Sequence, residues 1–405
     1  MSTANGTFPT TADVVVIGGG VNGVSTAFQL AKRGAGKVVL VERGVLGAGA
    51  SGKSGALVRC HYANPHEAAL TLASLRLFRE WDDAVGHGSP GFEAVGFLQV
   101  VAPADEAKLR ANVAAQQAIG VETSLVDRQA LHAIEPLLRT DDLTYAAFEP
   151  GAGYADPNAT VHGFAAAAQA QGATILTETE AIAISVKGDR VAGVETARGR
   201  ISTRSVVLAG GASSDRLLGP LGLDFGLTPK RAQVVVFRWP ADVEHGRKHV
   251  VVIDAIHHTW LRPEGAASSL IGLETPPTAV DPDDYQEAVD PDYVARARSA
   301  LAARLPAVAR GPMRGGWAGV YTGSPDGHPI IDQIPSVPGL WLMAGDSGTS
   351  FKTAPAIGIC LAEWVLEGAP KQVDLSPFRS TRLADGDLWL DEHAYGDDRV
   401  LSISR

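Results

Sequence analysis

Sulfur and membrane-like runs are scarce in this chain of 405 residues, which has 2 cysteines and 3 methionines. Cys60 and Cys360 alone build no disulfide framework and no thiolate metal cluster, and so few thiols suit a reducing cytoplasm. Positive charge is also short: 35 Lys and Arg against 45 Asp and Glu leave a net charge of −10. That balance argues against nucleic acid or an anionic membrane surface as partner. No apolar stretch is long enough to span a bilayer, and the first is too short and too glycine-broken for a signal peptide. Residues 1–12 are polar and read as a loose tail. There is no internal repeat and no low-complexity tract.

What the chain has is apolar residues, 45%, and glycine, 45 residues. The length predicts two domains, or one with large insertions. The glycines gather in the first part of the chain and in one C-terminal segment, where backbone would approach a ligand closely.

Asp13-Val14-Val15-Val16-Ile17 is a short apolar run rich in β-branched residues, as a buried parallel strand should be. Gly18-Gly19-Gly20-Val21-Asn22-Gly23 follows at once and fits G-x-G-x-x-G. A helix is predicted over 24–33, then a second strand over 37–41 that ends at Glu42-Arg43. Gly18 allows the tight turn, Gly20 lets backbone approach a pyrophosphate, and Gly23 lets helix and strand pack closely. The helix N-terminus around Val21 and Asn22 offers free N–H groups to phosphates, and Glu42 can accept from ribose hydroxyls. Between two strands, with an acid at the end of the second, the motif marks a dinucleotide site.

Strand followed by glycine recurs at Ala209-Gly210 and Ala344-Gly345. Parallel sheets bind ligands at the carboxyl ends of their strands. Three such turns on one ligand imply a discontinuous nucleotide domain, with a second domain built by the chain between. Helices are predicted over 66–81, 105–118, 127–134, 160–171, 292–305 and 355–368. Strands are predicted over 97–101, 174–176, 181–186, 205–209, 233–238, 250–253 and 340–343, with a hairpin around Arg198-Gly199-Arg200. The stretch from Leu375 onward is polar and mixed, and no function is assigned to it.

A competing motif is Gly47-Ala48-Gly49-Ala50-Ser51-Gly52-Lys53-Ser54, which matches the G-x-x-x-x-G-K-[ST] loop of NTPases. That reading needs a strand running into Gly47 and a sturdy helix after Lys53. The strand instead stops at Val41, and Pro65 soon breaks the chain, so the NTPase reading is set aside. In a dinucleotide protein this loop lets backbone approach the ligand, with Ser51 or Ser54 donating to it.

In their order and spacing these segments resemble the FAD-dependent amine and amino-acid oxidoreductases, the superfamily of sarcosine oxidase, glycine oxidase, D-amino-acid oxidase and dimethylglycine dehydrogenase. The sarcosine oxidase branch is nearest. Ser51-Gly52-Lys53-Ser54-Gly55 through Arg59 and Tyr62 resembles the flavin-side loop. Gly153-Tyr154-Ala155-Asp156-Pro157 resembles the crossover, and Val206-Val207-Leu208-Ala209-Gly210-Gly211-Ala212 the later FAD strand. Gly345-Asp346-Ser347-Gly348-Thr349-Ser350-Phe351-Lys352 resembles the C-terminal flavin turn.

The resemblance implies an α/β fold with a discontinuous, Rossmann-like FAD domain over 1–90, 151–225 and 318–405. The rest, 91–150 and 226–317, would form an α+β substrate domain on an antiparallel sheet. It implies that Arg59 and Lys352 hold a substrate carboxylate, by a planar fork and a mobile point charge. A structural ion pair for Arg59, and service of Lys352 to the flavin N1–C2=O edge, stay open. Tyr321 and Trp260 would line the pocket. His61 and His258 would help deprotonate an amine, or are ordinary hydrogen-bonded histidines. Gly319 stands where a flavin-bonded cysteine occurs in sarcosine oxidase, and Ser54 where a flavin-bonded histidine occurs in dimethylglycine dehydrogenase, so noncovalent FAD is expected. Leu270 lies nearest the position of the oxygen-activating lysine, which leaves O2 or another electron acceptor open. The expected activity is oxidation of a C–N bond in a small N-alkyl or cyclic amino acid. D-Amino acids, 2-hydroxy acids, partner subunits and a homo-oligomer remain alternatives.

Overall fold

The computed structural model describes residues 8–243, 248–274 and 278–395. A six-stranded sheet runs in the order Ile330–Gln333, Leu340–Ala344, Val206–Leu208, Val14–Ile17, Val38–Val41, Thr174–Leu176. Its pairs are parallel except the edge pair of Ile330–Gln333 with Leu340–Ala344. Successive side chains of a strand point to opposite faces. Val14 and Val16 accordingly enter one apolar core, and Val15 and Ile17 another. Helices Val21–Lys32, Pro157–Ala170 and Ala354–Glu367 contribute Phe28, Phe164 and Leu361 to the first core. A three-stranded meander, Ala181–Lys187, Arg190–Thr196 and Gly199–Ile201, supplies Ile184, Val194 and Ile201 to the second.

The sheet order explains the three glycine turns. Val14–Ile17, Val206–Leu208 and Leu340–Ala344 are neighbours in register, Ile17 opposite Leu208 and Leu208 opposite Leu342. The turns that follow them therefore open on one edge.

A second sheet of nine strands faces that edge. It is antiparallel throughout, save the pairing of Val251–Asp254 with Phe97–Val100. One face packs on helix Pro291–Arg304 through Leu261, Ile271 and Leu301. The other carries Phe97, Ile253, Trp260 and Leu270. The long strand Met313–Gly323, paired with Thr228–Arg238, was absent from the expectations. Its glycines read locally as loop. They are small for a packing reason: a Cβ on Gly316 would press on Val234 and Val289, and one on Gly319 on the Lys53 side chain.

The expectation of a loose tail over residues 1–12 needs correction. Only residues 1–7 of the tail lie outside the described chain. Thr11 bridges to Ser202, and Phe8 packs beneath the Arg198 guanidinium, which ties 8–12 to the fold. The segment after Leu375, to which the sequence assigned no function, packs on the fold: Phe378, Arg382, Asp391 and Tyr395 are buried. No helix among the described residues is long and apolar enough to cross a membrane.

Candidate functional site

Between the two sheets lies a cavity of about 570 Å³. One side is the glycine-turn edge; the other is formed by strands Thr228–Arg238, Thr259–Pro263 and Met313–Gly323.

At the turn after the first strand, Gly18 has φ +111°, and a Cβ there would overlap the Ala209 carbonyl. A Cβ on Gly23 would overlap the Gly18 carbonyl, so helix and turn touch backbone to backbone. Gly20 leaves only 3.0 Å between such an atom and Ser51 Oγ. The helix beginning at Val21 has no acidic residue in its first turn and no side-chain cap of its own. The Val21 N–H donates to Ser51 Oγ at 3.0 Å. This positive helix end opens on the cavity, as an anion site requires. Asn22 Nδ2 donates to Ser350 Oγ (3.1 Å), and Ser350 donates to the Asp346 carboxylate (2.8 Å), joining the first turn to the last. Asn22 Oδ1 is buried without a hydrogen-bond partner among the described residues. Burial pushes the Asp346 carboxyl above the ordinary carboxylate range.

Glu42 accepts from the N–H groups of Gly19 (2.7 Å) and Gly44 (2.8 Å), which fixes its carboxylate at the cavity edge with lone pairs left for hydroxyl donors. Beside it Arg43 pairs with Asp283 at 2.6 Å. Pro282, Asp283, Tyr285 and Glu287 close this side of the cavity. Lys53 donates to Tyr285 Oη (2.5 Å) and Glu287 (2.7 Å), so its ammonium serves as a tether. No helix follows Lys53, whose loop runs into the short strand Leu57–Val58, and the NTPase alternative fails on that ground.

Of the residues singled out from sequence, Gly18, Gly20, Val21, Asn22, Glu42, Arg43, Ser51, Ser54 and Gly55 line the cavity. So do Ala209, Gly210, Gly345, Asp346, Gly348, Ser350, Phe351, Trp260 and Tyr321. Gly23, Thr349, Lys352, Arg59, His61 and His258 are not among the lining residues. Trp260 is held edge-on between Gly55 and Gly272, where any Cβ would collide with its ring. His258 sits at a left-handed turn, φ +50°, with its side chain 55% exposed and 3.8 Å from Glu274.

Arg59, Lys352 and His61 share a buried cluster one layer behind the turn at Gly348–Phe351. The Arg59 guanidinium lies over the rings of Tyr62 (4.7 Å) and Phe97 (5.6 Å). Lys352 Nζ lies 4.9 Å from the same Tyr62 ring and donates to the Thr349 carbonyl at 3.0 Å. Glu149 accepts from the Cys60 N–H (2.8 Å), and burial pushes its carboxyl up to about 7. Burial first, then the Arg59 charge, holds His61 down to about 3.

The sequence reading placed Lys53 in the flavin-side loop without a role of its own, and missed Lys230, Tyr285, Glu287 and Trp317 in the lining. Lys230 faces the cavity from the strand opposite Tyr321, and burial lowers its ammonium below the ordinary lysine value. No local pattern marks Lys230; it and the other residues are brought in by tertiary contacts.

A phosphate-ready helix end, a fixed acid after the second strand and three convergent glycine turns define a dinucleotide-binding protein with a second sheet closing over its ligand. The chain belongs to the FAD dependent oxidoreductase family, which it matches over residues 13–364. Its cofactor is FAD, and the backbone-lined turns, the polar Asn22 Oδ1 and the room in the cavity fit that group. The chain is 27% identical to sarcosine oxidase subunit beta of Rhizobium meliloti over 397 residues, 95% of this chain and 91% of that one. It is 27% identical to monomeric sarcosine oxidase of a Bacillus species over 382 residues, 92% of this chain and 96% of that one. Among solved structures, L-proline dehydrogenase from P. horikoshii superposes with TM-score 0.87 at 26% identity, covering 94% of this chain and 100% of that one. Glycine oxidase from Geobacillus kaustophilus gives 0.79 at 25%, covering 91% and 98%.

Proposed function

We propose that this oxidoreductase oxidises a C–N bond of a small N-alkyl or cyclic amino acid, and that Arg59 and Lys352 hold the substrate carboxylate. FAD, when bound, accepts a hydride from the carbon next to nitrogen, and the imine left behind hydrolyses in water. The observation that carries the reading is the pair of buried cations on one aromatic ring; both lie outside the cavity lining, so a carboxylate would meet them past the turn at Gly348–Phe351. Charge concentrated in a water-poor site attracts a carboxylate far more strongly than it would at the surface. Arg59 supplies a two-point fork and Lys352 a mobile charge. Trp260 and Tyr321 would bound the apolar part of the substrate. Two fixed cations also favour the neutral amine, whose lone pair must be free as hydride leaves. His61, buried and held neutral, is a weak base, so deprotonation rests on this field rather than on a histidine.

The test is Arg59→Ala. Losing a charge-assisted contact of ~1.5–3 kcal/mol should raise KM roughly 10- to 100-fold with FAD retained. Retained FAD with unchanged KM would remove Arg59 from the carboxylate site.

A second reading is favoured by the relatives named as beta subunits. In it the chain works within a heteromeric assembly, and the isolated chain would be reduced by substrate but pass electrons on slowly. Flavin reduction and steady-state turnover, measured side by side, separate the two readings.

A further inference from the structure

We propose that the C-terminal segment 380–395 is a positioning arm for the carboxylate end of the site, acting through Tyr395. This rests on the role of Arg59 given above.

The arm is fastened along its length by buried polar contacts. Asp332 accepts from the N–H and Oγ of Ser380 (2.7 and 2.6 Å). Arg382, 1% exposed, donates twice to Asp326 (2.8 and 3.0 Å). Trp389 stacks on His328 at 4.0 Å. His328 lies between two carboxylates, with Nδ1 2.9 Å from Glu67 and Nε2 3.5 Å from Asp391. Of these two contacts, the one to Glu67 is a hydrogen bond. Such contacts fix the path of a segment that has little apolar pattern of its own.

They deliver Tyr395, 4% exposed, to the back of the Arg59 cluster. Asn112 Nδ2 donates to the Tyr395 hydroxyl (2.9 Å) and to the His393 carbonyl (3.0 Å). The same hydroxyl is 2.8 Å from His61 Nε2, and the two rings stack at 5.9 Å with 15° between planes. His61 in turn leans on Phe97 at 6.4 Å, the ring that also carries Arg59. The contacts thus run Tyr395, His61, Phe97, Arg59, and from Arg59 through Tyr62 to Lys352. The arm holds a neutral imidazole, in place of solvent, beside the guanidinium. That keeps the local dielectric low and Arg59 in one rotamer, the two conditions under which a fixed cation binds an anion strongly.

The experiment uses the holoenzyme and its Tyr395→Phe, Tyr395→Leu and Arg59→Ala variants. N-methylglycine and L-proline are titrated by the visible spectrum and by initial rates, from pH 5.5 to 8. Loss of the hydroxyl in Tyr395→Phe should raise KM about five-fold, the cost of one hydrogen bond. Tyr395→Leu should raise it at least about ten-fold, with kcat and FAD content within about two-fold of wild type. In Tyr395→Leu, water reaching His61 should relieve part of its burial and bring an imidazole titration, still held below 6.5 by Arg59, into the KM profile. The groups acting on the His61 ring are Arg59 and Gln116, with Glu149 accepting from the His61 backbone N–H, and Asn112, Arg59 and Asp105 acting on Tyr395. Unchanged KM and pH profile in both Tyr395 variants would overturn the proposal. A fall in kcat and FAD content with KM unmoved would also overturn it, since the arm would then only hold the fold together. If KM is unmoved in Arg59→Ala as well, the carboxylate reading fails with it; if Arg59→Ala alone raises KM, only the arm does.

Discussion

The guanidinium of Arg59 and the ammonium of Lys352 sit 4.7 and 4.9 Å from the centre of one ring, that of Tyr62. Each such cation–π contact is worth ~0.5–2 kcal/mol to a charge held out of water. Tyr62→Leu removes the face and should raise KM for the amino-acid substrate roughly ten-fold. Tyr62→Phe keeps the ring and should stay near wild type, although the hydroxyl contact to the Thr349 carbonyl at 3.3 Å is lost. Equal effects of the two variants would show that the hydroxyl, not the ring, matters.

Gly23 tests the cofactor cradle. A Cβ there would overlap the Gly18 carbonyl, and backbone cannot step aside without opening the turn. At ~1–3 kcal/mol for such overpacking, Gly23→Ala should bind FAD roughly 10- to 100-fold more weakly. The ratio of flavin to protein absorbance in the purified variant measures it, and wild-type occupancy would contradict the account.

FAD should be held without a covalent bond. Neither cysteine nor any histidine lines the cavity among the described residues, and Gly319 and Ser54 offer no thiol or imidazole. Denaturation in acid should leave a colourless pellet and a yellow supernatant; a yellow pellet would show a linkage.

How much of this could be read from the chain depends on the range of the contacts involved. The run from Val14 to Gly23 was legible because its determinants are local: a β-branched strand, a positive-φ glycine and a helix start within a few residues. The convergence of the turns at Gly18, Gly210 and Gly345 followed from strand logic and is seen in the order of the sheet. The strand Met313–Gly323 was not legible, because its glycines serve neighbours distant in sequence, Lys53 and Val234. The C-terminal arm was not legible either. Its burial depends on polar partners, Asp326, Asp332 and Asn112, that no periodicity reveals. The clustering of Arg59, Lys352 and His61 behind the cavity wall, and the exposure of His258, likewise depend on tertiary packing.

His61 and Glu149 predict opposed pH effects on stability. Burial and Arg59 hold His61 at about 3, so its contribution is present above the unfolded value near 6.5 and is lost as pH falls toward 3. Burial lifts Glu149 to about 7, so its contribution is present below the unfolded value near 4.5 and is lost as pH rises through 7. Between roughly pH 4.5 and 6.5 the two slopes offset each other, each at most about 1.4 kcal/mol per pH unit. Glu149→Gln removes one slope and should lose stability on going from pH 6.5 to 5 more steeply than wild type does. His61→Asn should do the reverse. Denaturant midpoints at the two pH values decide it, and parallel shifts in all three proteins would contradict the assignment.

Leu270 bears on the electron acceptor. It is fully buried among Trp260, Val234 and Val236, so that strand position presents no cation to the cavity. Reoxidation by O2 should therefore be slow, and turnover with a dye acceptor should exceed turnover with oxygen at least about ten-fold, a barrier difference of about 1.4 kcal/mol. Equal rates would show that another group, such as Lys230 on the cavity wall, does that work.

The chemistry proposed is amine oxidation on a flavin held at the three glycine turns. The visible spectrum of the purified protein under anaerobic conditions tests it most directly, before and after N-methylglycine and a small panel of cyclic and N-alkyl amino acids. A yellow protein bleached by at least one of them is the expected result. A yellow protein bleached by none, but bleached by a 2-hydroxy acid, would contradict the substrate; a protein colourless even after incubation with FAD would contradict the site.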